Sequence, residues 1–185
     1  MFETMPIDKN DQIMAIFGLG KLGLLITQVA LSKGLKLIVI DGSDRKLKLA
    51  KKYGAHHLIN RLHYENIPME IKNLTNRLGA DIVVDTTGNP TALKDVIDSC
   101  RTRGKIHLKS THGVESPINI TEIVVRELTL YSSRCGPYDK AIEGLELGKI
   151  QVKDLISCRF TLDNIIEAFK SYNLSRDHIK TIITI

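Results

Sequence analysis

The sequence predicts an α/β protein built on a doubly wound parallel sheet, and three observations predict it. Short apolar runs alternate with helical repeats from residue 13 to residue 108. The second of those runs, 35–40, is apolar apart from Lys36, the pattern of a parallel strand covered on both faces. A glycine-rich turn, Gly18, Leu19, Gly20, Lys21, Leu22 and Gly23, joins the first strand to the first helix. Strands spaced by helices in this way need right-handed crossovers between parallel neighbours.

The elements follow in order. Residues 13–17 form an apolar strand closed by glycine, and 21–33 place Leu22, Leu25, Ile26, Val29 and Ala30 at helical spacing. The strand at 35–40 ends in an acid, Asp41. Ser43 suits the cap of a second helix carrying Leu47, Leu49, Ala50 and Tyr53, which Gly54 stops. Residues 57–59 read as a short strand, 67–78 as a helix, and 81–85 as a strand running into Thr86, Thr87 and Gly88. Asn89 and Pro90 open a helix reaching Cys100, since proline fits a first helical turn. A strand at 105–108 leads into a loop at 109–113. Beyond about Pro117 the rhythm changes to an apolar, β-branched stretch at 123–130, a helix over 138–147 and a turn at Gly148. Asp163 caps a last helix through Phe169 and Tyr172, and the β-branched run 179–185 calls for a place in another sheet.

Composition narrows the function classes. With 43% hydrophobic and 25% charged residues in 185, disorder and collagen-like structure are excluded. A chain of this length buries roughly 70% of its unfolded surface without help from disulfides. The net charge of +5 is dispersed, and the basic stretch from Arg45 to Lys52 falls on one predicted helix as a solvated face. Aromatics are 5% of residues, too few for base-stacking platforms, so no nucleic-acid partner is expected. Glu3 and Asp8 stand where a signal peptide would be apolar, and runs such as 22–26 fall far short of the roughly 18 residues of a membrane span. No membrane partner is expected, and a cytoplasmic protein is. Cys100, Cys135 and Cys158 are odd in number and widely spaced, which reads as reduced thiols, mostly buried in packing.

The glycine turn carries the chemistry. Alone, G-x-G-x-x-G is a weak signal that a tight turn also explains; here it follows a predicted strand, opens a predicted helix, and precedes Asp41 by about 20 residues. Gly18 permits the turn, Gly20 lets backbone approach a pyrophosphate, and Gly23 lets the helix pack against the strand. The helix N-terminus offers unpaired N–H groups and roughly half a positive charge. Asp41, at the tip of the second strand, would accept hydrogen bonds from the adenosine ribose and repel a 2′-phosphate, favouring NAD over NADP. Arg45 and Lys46 nearby keep NADP open, and Asp41 also reads as a helix-capping acid. Methyltransferases share a glycine loop and a following acid, but the third glycine and its helical setting argue against them.

With these residues in place, the chain resembles the nucleotide-binding, Rossmann half of the zinc-type alcohol dehydrogenases, in the medium-chain dehydrogenase/reductase superfamily. The resemblance runs from about Met5 to Ile185 through the glycine turn, residues 41–55, 81–88, 162–169 and 180–185 in family order. Residues 108–111 followed by 133–137 look like one alcohol-dehydrogenase-like branch. It implies a cofactor site at Gly18, Gly20, Lys21, Leu22, Gly23 and Asp41, with Lys46 bracing the adenosine ribose, Thr87 beside a ribose and Lys180 reaching the pyrophosphate. Lys46 and Lys180 read equally well as surface lysines. Ser110 stands where many relatives have a glycine that leaves room for nicotinamide.

The resemblance also implies a layout: a lead at 1–12, a dinucleotide-binding domain at 13–136, and a remnant at 137–185 that completes a catalytic domain in the family. That catalytic domain, ahead of the dinucleotide domain in relatives, carries the zinc ligands; with 12 residues before the first strand it is expected to be absent, so zinc enters only through another chain or a lost segment. His56 and His57 are adjacent and His63, His107, His112 and His178 lack a spaced cysteine, so no catalytic or metal-ligating residue is expected. The favoured reading is the NAD(H)-binding part of an alcohol dehydrogenase-like oxidoreductase, inactive alone. The alternative is a non-catalytic NAD(H)-binding module or partner subunit. The resemblance implies homodimerisation through an edge strand near 128–133, or pairing with a separate catalytic-domain chain.

Overall fold

The computed structural model describes residues 1–172 and 175–185. Six parallel strands make the main sheet: β1 (Ile13–Phe17), β2 (Lys36–Asp41), β3 (His57–Asn60), β4 (Ala80–Asp85), β5 (Cys100–Leu108) and β6 (Thr129–Ser132). Their spatial order is β3-β2-β1-β4-β5-β6, so the chain winds outward from β1 in one direction and then returns to wind in the other. Between β1 and β4 lies the point where the winding reverses, and the carboxyl ends of open α/β sheets form their ligand crevice there.

Period-two alternation sorts the strand side chains onto two cores. Met14, Ile16, Leu37, Val39, Ile82 and Val84 pack on one face with Leu24, Ile26 and Ala30 of α1 (Lys21–Ser32) and Leu47 and Ala50 of α2 (Asp44–Tyr53). Ala15, Phe17, Ile38, Ile40, Val83 and Ile106 pack on the other with Ile67 and Ile71 of α3 (Ile67–Leu74) and Val96 and Ile97 of α4 (Ala92–Ser99). Each fully buried Leu, Ile or Val contributes about 1.5–3 kcal/mol against its exposure.

The helix boundaries follow from local chemistry. Ser43 caps α2 by accepting from Lys46 N at 3.2 Å, and Gly54 ends it at φ 110°, a left-handed conformation that favours glycine. Three expected boundaries are corrected. The helix expected over 67–78 ends at Leu74, because Thr75 Oγ1 donates to Ile71 O at 2.8 Å and accepts from Gly79 N at 3.0 Å, while Asn76 and Arg77 turn left-handed at φ 50° and 67°. The helix expected from Asn89 and Pro90 to Cys100 spans only Ala92–Ser99: the Asn89 carboxamide accepts from Thr91 N at 3.1 Å and holds a turn ahead of it. Cys100 instead opens β5, which the sequence placed at 105–108; its register against β4 shifts between Ala80 and Ile82. A short helix, α5 (Ile120–Val125), precedes β6, capped by Asn119 accepting from Thr121 N at 3.0 Å.

Beyond the main sheet come α6 (Tyr138–Glu146), β7 (Ile156–Thr161), α7 (Ile165–Tyr172) and β8 (Lys180–Thr184). The final strand does join another sheet, pairing parallel with β7, Arg159 opposite Ile182. Asp163 does not cap α7 as expected; it lies inside a 3-10 turn, Leu162–Asn164, that feeds the helix. Leu155 and Ile179, 5% and 3% exposed, anchor this second unit in the main core.

The lead at 1–12 is also packed. Lys105 Nζ reaches Asp8 Oδ2 and Asp11 Oδ2, each at 2.6 Å, and Pro6 O at 2.9 Å, while Asp81 Oδ2 accepts from Gln12 N and Ile13 N. Met5 is fully buried. Among the described residues no helix is long and apolar enough to cross a membrane. Of the cysteines only Cys100 is buried; Cys158 is half-buried and Cys135 exposed, which corrects the expectation of mostly buried thiols. Burial pushes the Cys100 thiol up to about 12, keeping it neutral.

Candidate functional site

The carboxyl ends of β1 and β4 shape the glycine turn. Gly18 sits at φ 88° with its N–H on Ile40 O at 2.8 Å, and a side chain there would press on Thr86 Oγ1 and the Thr87 backbone, all 3.1 Å from its Cβ position. Thr86 ties the turn to β4 by donating to Gly18 O at 2.7 Å. At Gly23 a Cβ would overlap the Gly18 carbonyl oxygen, so only glycine lets α1 start this close to the strand. Gly20 is the N-cap of α1, no side chain caps it, and no atom lies within 4 Å of its Cβ position. A helix end left without a capping side chain and facing open space suits an anion.

A cleft of about 490 Å³ runs along these strand ends. Gly18, Gly20, Asp41, Lys46 and Thr87 line it. Lys21, Leu22 and Gly23 lie in the first turn of α1, behind the loop, and outside the cleft walls. Lys180 begins β8 in the second sheet and is also outside the walls. The segment before it approaches the start of α2: Ser43 Oγ donates to Asp177 Oδ1 at 2.5 Å and Arg45 Nη1 to Asp177 O at 3.4 Å. Burial, then Lys21, Arg45 and Lys46, lower the pKa of His178, which marks a positive field where these segments meet.

The Asp41 carboxylate is held at both oxygens, accepting from Leu19 N at 2.7 Å and Ser43 N at 2.9 Å. It thereby links the glycine turn to the start of α2, and each oxygen keeps a further lone pair. The buried Asp85 does the same for the other end of the cleft: Oδ1 accepts from Thr87 N at 2.9 Å and Thr87 Oγ1 at 2.7 Å, and Oδ2 from Ser110 Oγ at 3.1 Å.

Sequence reasoning passed over Asp85, Arg61, Tyr64 and Arg176. Asp85 positions Thr87; the other three line the cleft. A signal existed for Arg61, which directly follows β3, since every strand of such a sheet ends at the crevice. Arg176 comes from a distant segment with no pattern to announce it. Among the described residues no group of three or more His, Cys, Asp or Glu is placed to hold a metal ion.

A family model described as zinc-binding dehydrogenase matches residues 22–148. Sorbitol dehydrogenase of Bacillus subtilis is 33% identical over 161 residues, 85% of this chain and 45% of that protein. D-xylulose reductase of Saccharomyces cerevisiae is 30% identical over 176 residues, 91% of this chain and 49% of that protein. Among solved structures, a zinc dependent alcohol dehydrogenase from Streptococcus pneumonia in its apo form superposes with a TM-score of 0.87 at 26% identity, covering 93% of this chain and 51% of that one. A short chain alcohol dehydrogenase from Escherichia coli CFT073, complexed with NADH, gives 0.81 at 25% identity, covering 95% and 52%. The chain spans about half the length of the curated relatives it matches. Glycine turn, strand order and matched residues agree, and the chain belongs to the zinc-binding dehydrogenase family.

Proposed function

We propose that this chain is the NAD(H)-binding part of an alcohol dehydrogenase-like oxidoreductase. The observation that carries the reading is Gly20: an uncapped helix start with open space at its Cβ position, in a cleft also lined by Asp41, whose carboxylate accepts from the neighbouring Leu19 N. NAD bound there would supply hydride exchange between its nicotinamide ring and an alcohol or carbonyl substrate of the whole protein. Gly18 and Gly20 let the backbone close on the pyrophosphate, and the first turn of α1, from Lys21 through Leu22 to Gly23, presents its N–H groups to it. Lys180 adds positive charge from β8. The Asp41 carboxylate, already fixed by two backbone N–H groups, accepts from the adenosine ribose with Lys46 bracing it. Its charge favours NAD over NADP. Thr87, set by Asp85, stands beside a ribose.

Relatives named as sorbitol dehydrogenase and D-xylulose reductase support an alcohol or polyol as the substrate class of the whole protein. The exposed Ile166 and Phe169 of α7 support the reading of 137–185 as a segment that completes a further domain. The main sheet leaves β6 unpaired on its outer side, which supports a homodimer formed at that edge. A cytoplasmic location fits three free thiols.

Calorimetric titration with NADH and NADPH tests the reading. NADH is expected to bind more tightly than NADPH, and Asp41→Ala to weaken NADH by about tenfold, the loss of a charge-assisted hydrogen bond, while narrowing the preference. No heat from either nucleotide would sink it.

A further inference from the structure

His178 sits half-buried where the segment 175–180 meets the starts of α1 and α2, its backbone N–H on Ser175 O at 3.1 Å and its Nε2 2.9 Å from Thr181 Oγ1. The neighbouring Asp177 fixes that meeting, accepting from Ser43 Oγ at 2.5 Å and, through its carbonyl, from Arg45 Nη1 at 3.4 Å. Lys21 acts on the ring from the first turn of α1, and Arg45 and Lys46 from the first turn of α2. Its own segment adds Arg176, which lines the cleft, and Lys180 at the start of β8. The acids nearby are Asp177, Asp44, which accepts from Asn60 Nδ2 at 2.6 Å, and Asp41, which accepts from two backbone N–H groups. Among the described residues the junction therefore carries an excess of positive charge.

A proton on the imidazole would enter that field. Burial, then Lys21, Arg45 and Lys46, accordingly hold His178 below the ordinary imidazole range. Two of those three cations are the ones placed at the dinucleotide: Lys21 in the turn whose N–H groups meet the pyrophosphate, and Lys46 in the cleft wall beside Gly18 and Gly20. An anion bound there brings charge of the opposite sign into the same field. It relieves the repulsion at the ring without having to touch it, since Coulomb interactions between partly buried groups reach past direct contact.

We propose that binding of the dinucleotide draws a proton from solvent onto His178, so that affinity for the nucleotide rises as pH falls. The inference rests on the dinucleotide reading above and adds its regulation by pH. The bound state holds the proton to a higher pH than the free state does, so affinity is gained as pH drops through that interval and levels off below it. The other histidines stand on other elements, His56, His57 and His63 around β3, His107 inside β5 and His112 after it.

The test uses the full chain with NADH and ADP-ribose, whose pyrophosphates are diesters with no ionisation of their own near neutral pH. Thermal melting at each pH establishes that chain and variant are folded, and calorimetry in buffers of different ionisation enthalpy counts the protons taken up. Both ligands are expected to bind with uptake of a fraction of a proton at about pH 6.5, and to tighten by up to about tenfold between about pH 8 and about pH 5.5, the equivalent of one pKa unit. His178→Gln, which keeps a hydrogen-bonding side chain but takes no proton, is expected to abolish the uptake and flatten the pH dependence. Uptake that survives in His178→Gln would place the proton elsewhere and overturn the proposal. So would binding by the unaltered chain that is independent of pH or releases a proton. Should neither ligand bind at any pH, the dinucleotide reading itself falls and takes this inference with it, an outcome distinct from tight binding that ignores pH.

Discussion

The six-stranded and two-stranded sheets are made from the same unit, a strand, a helix and a parallel strand, yet they are buried to very different degrees. In the main sheet the inner positions of β2 are all buried, because α1 and α2 cover one face while α3 and α4 cover the other. In β8 the inner positions are only half-buried, and α7 leaves Ile166 and Phe169 at 68% and 74% exposure. Parallel strands gain their stability from cover on both faces. A βαβ unit supplies one covering layer, so the second sheet holds through its edges: Leu155 and Ile179 in the main core, Lys52 to Asp154 at 2.7 Å, and Gln28 paired with the Gln151 backbone.

Four measurements would break or sharpen that contrast. The largest effect is expected at the base of the main sheet. Removing Lys105 leaves Asp11, whose side chain is only 2% exposed, with Arg101 at 3.6 Å as its remaining cation, so Lys105→Ala should cost about 3–4 kcal/mol in chemical denaturation. A cost near zero would mean that the lead at 1–12 is not docked as described. Next, Gly23→Ala forces its methyl onto the Gly18 carbonyl and should cost about 3 kcal/mol together with nucleotide affinity; a stable variant that still binds NADH would show that the helix has room to move.

The third effect depends on pH. Burial, then the amino terminus and Lys109, push His107 down to about 4. Because its folded pKa lies below the unfolded value of 6.5, the unfolded chain takes up the proton first as pH falls. Stability is then whole above 6.5, declines as pH drops toward 4, and by pH 4 has lost up to about 3 kcal/mol. His107→Leu should flatten that part of the profile, and an unchanged slope would assign the acid sensitivity to other groups. The smallest effect belongs to the second sheet, where Ile166→Ser and Phe169→Ser should each change stability by less than about 0.5 kcal/mol in this chain. A loss of several kcal/mol would show that α7 is already covered, for example by a second copy, and dilution during the melt would reveal that.

Much of this was legible before any coordinates. Ile13–Phe17 and Asp44–Tyr53 carry their own boundaries, an apolar run stopped by glycine in one case and Ser43 with Gly54 in the other. The glycine turn and Asp41 were legible for the same reason, since the backbone there admits few alternatives. The misreadings at 75–78 and at Cys100 share a cause. Thr75 joins two turns by hydrogen bonds, and β5 begins early because Ala80 of the neighbouring β4 is there to pair with it. Neither partner is visible in a window of local sequence.

Arg61 marks the same division. Residue type, spacing and periodicity determined the strands, the crossovers and the phosphate turn, because each depends on contacts within a few residues and on a hydrophobic pattern written along the chain. The approach of the Arg61 side chain to Gly42, the hold of Asp85 on Ser110, and the approach of Asp177 to Ser43 were decided only when distant segments met. A side chain's partner across a sheet is fixed by strand order and register, and those are properties of the whole core rather than of any stretch of sequence.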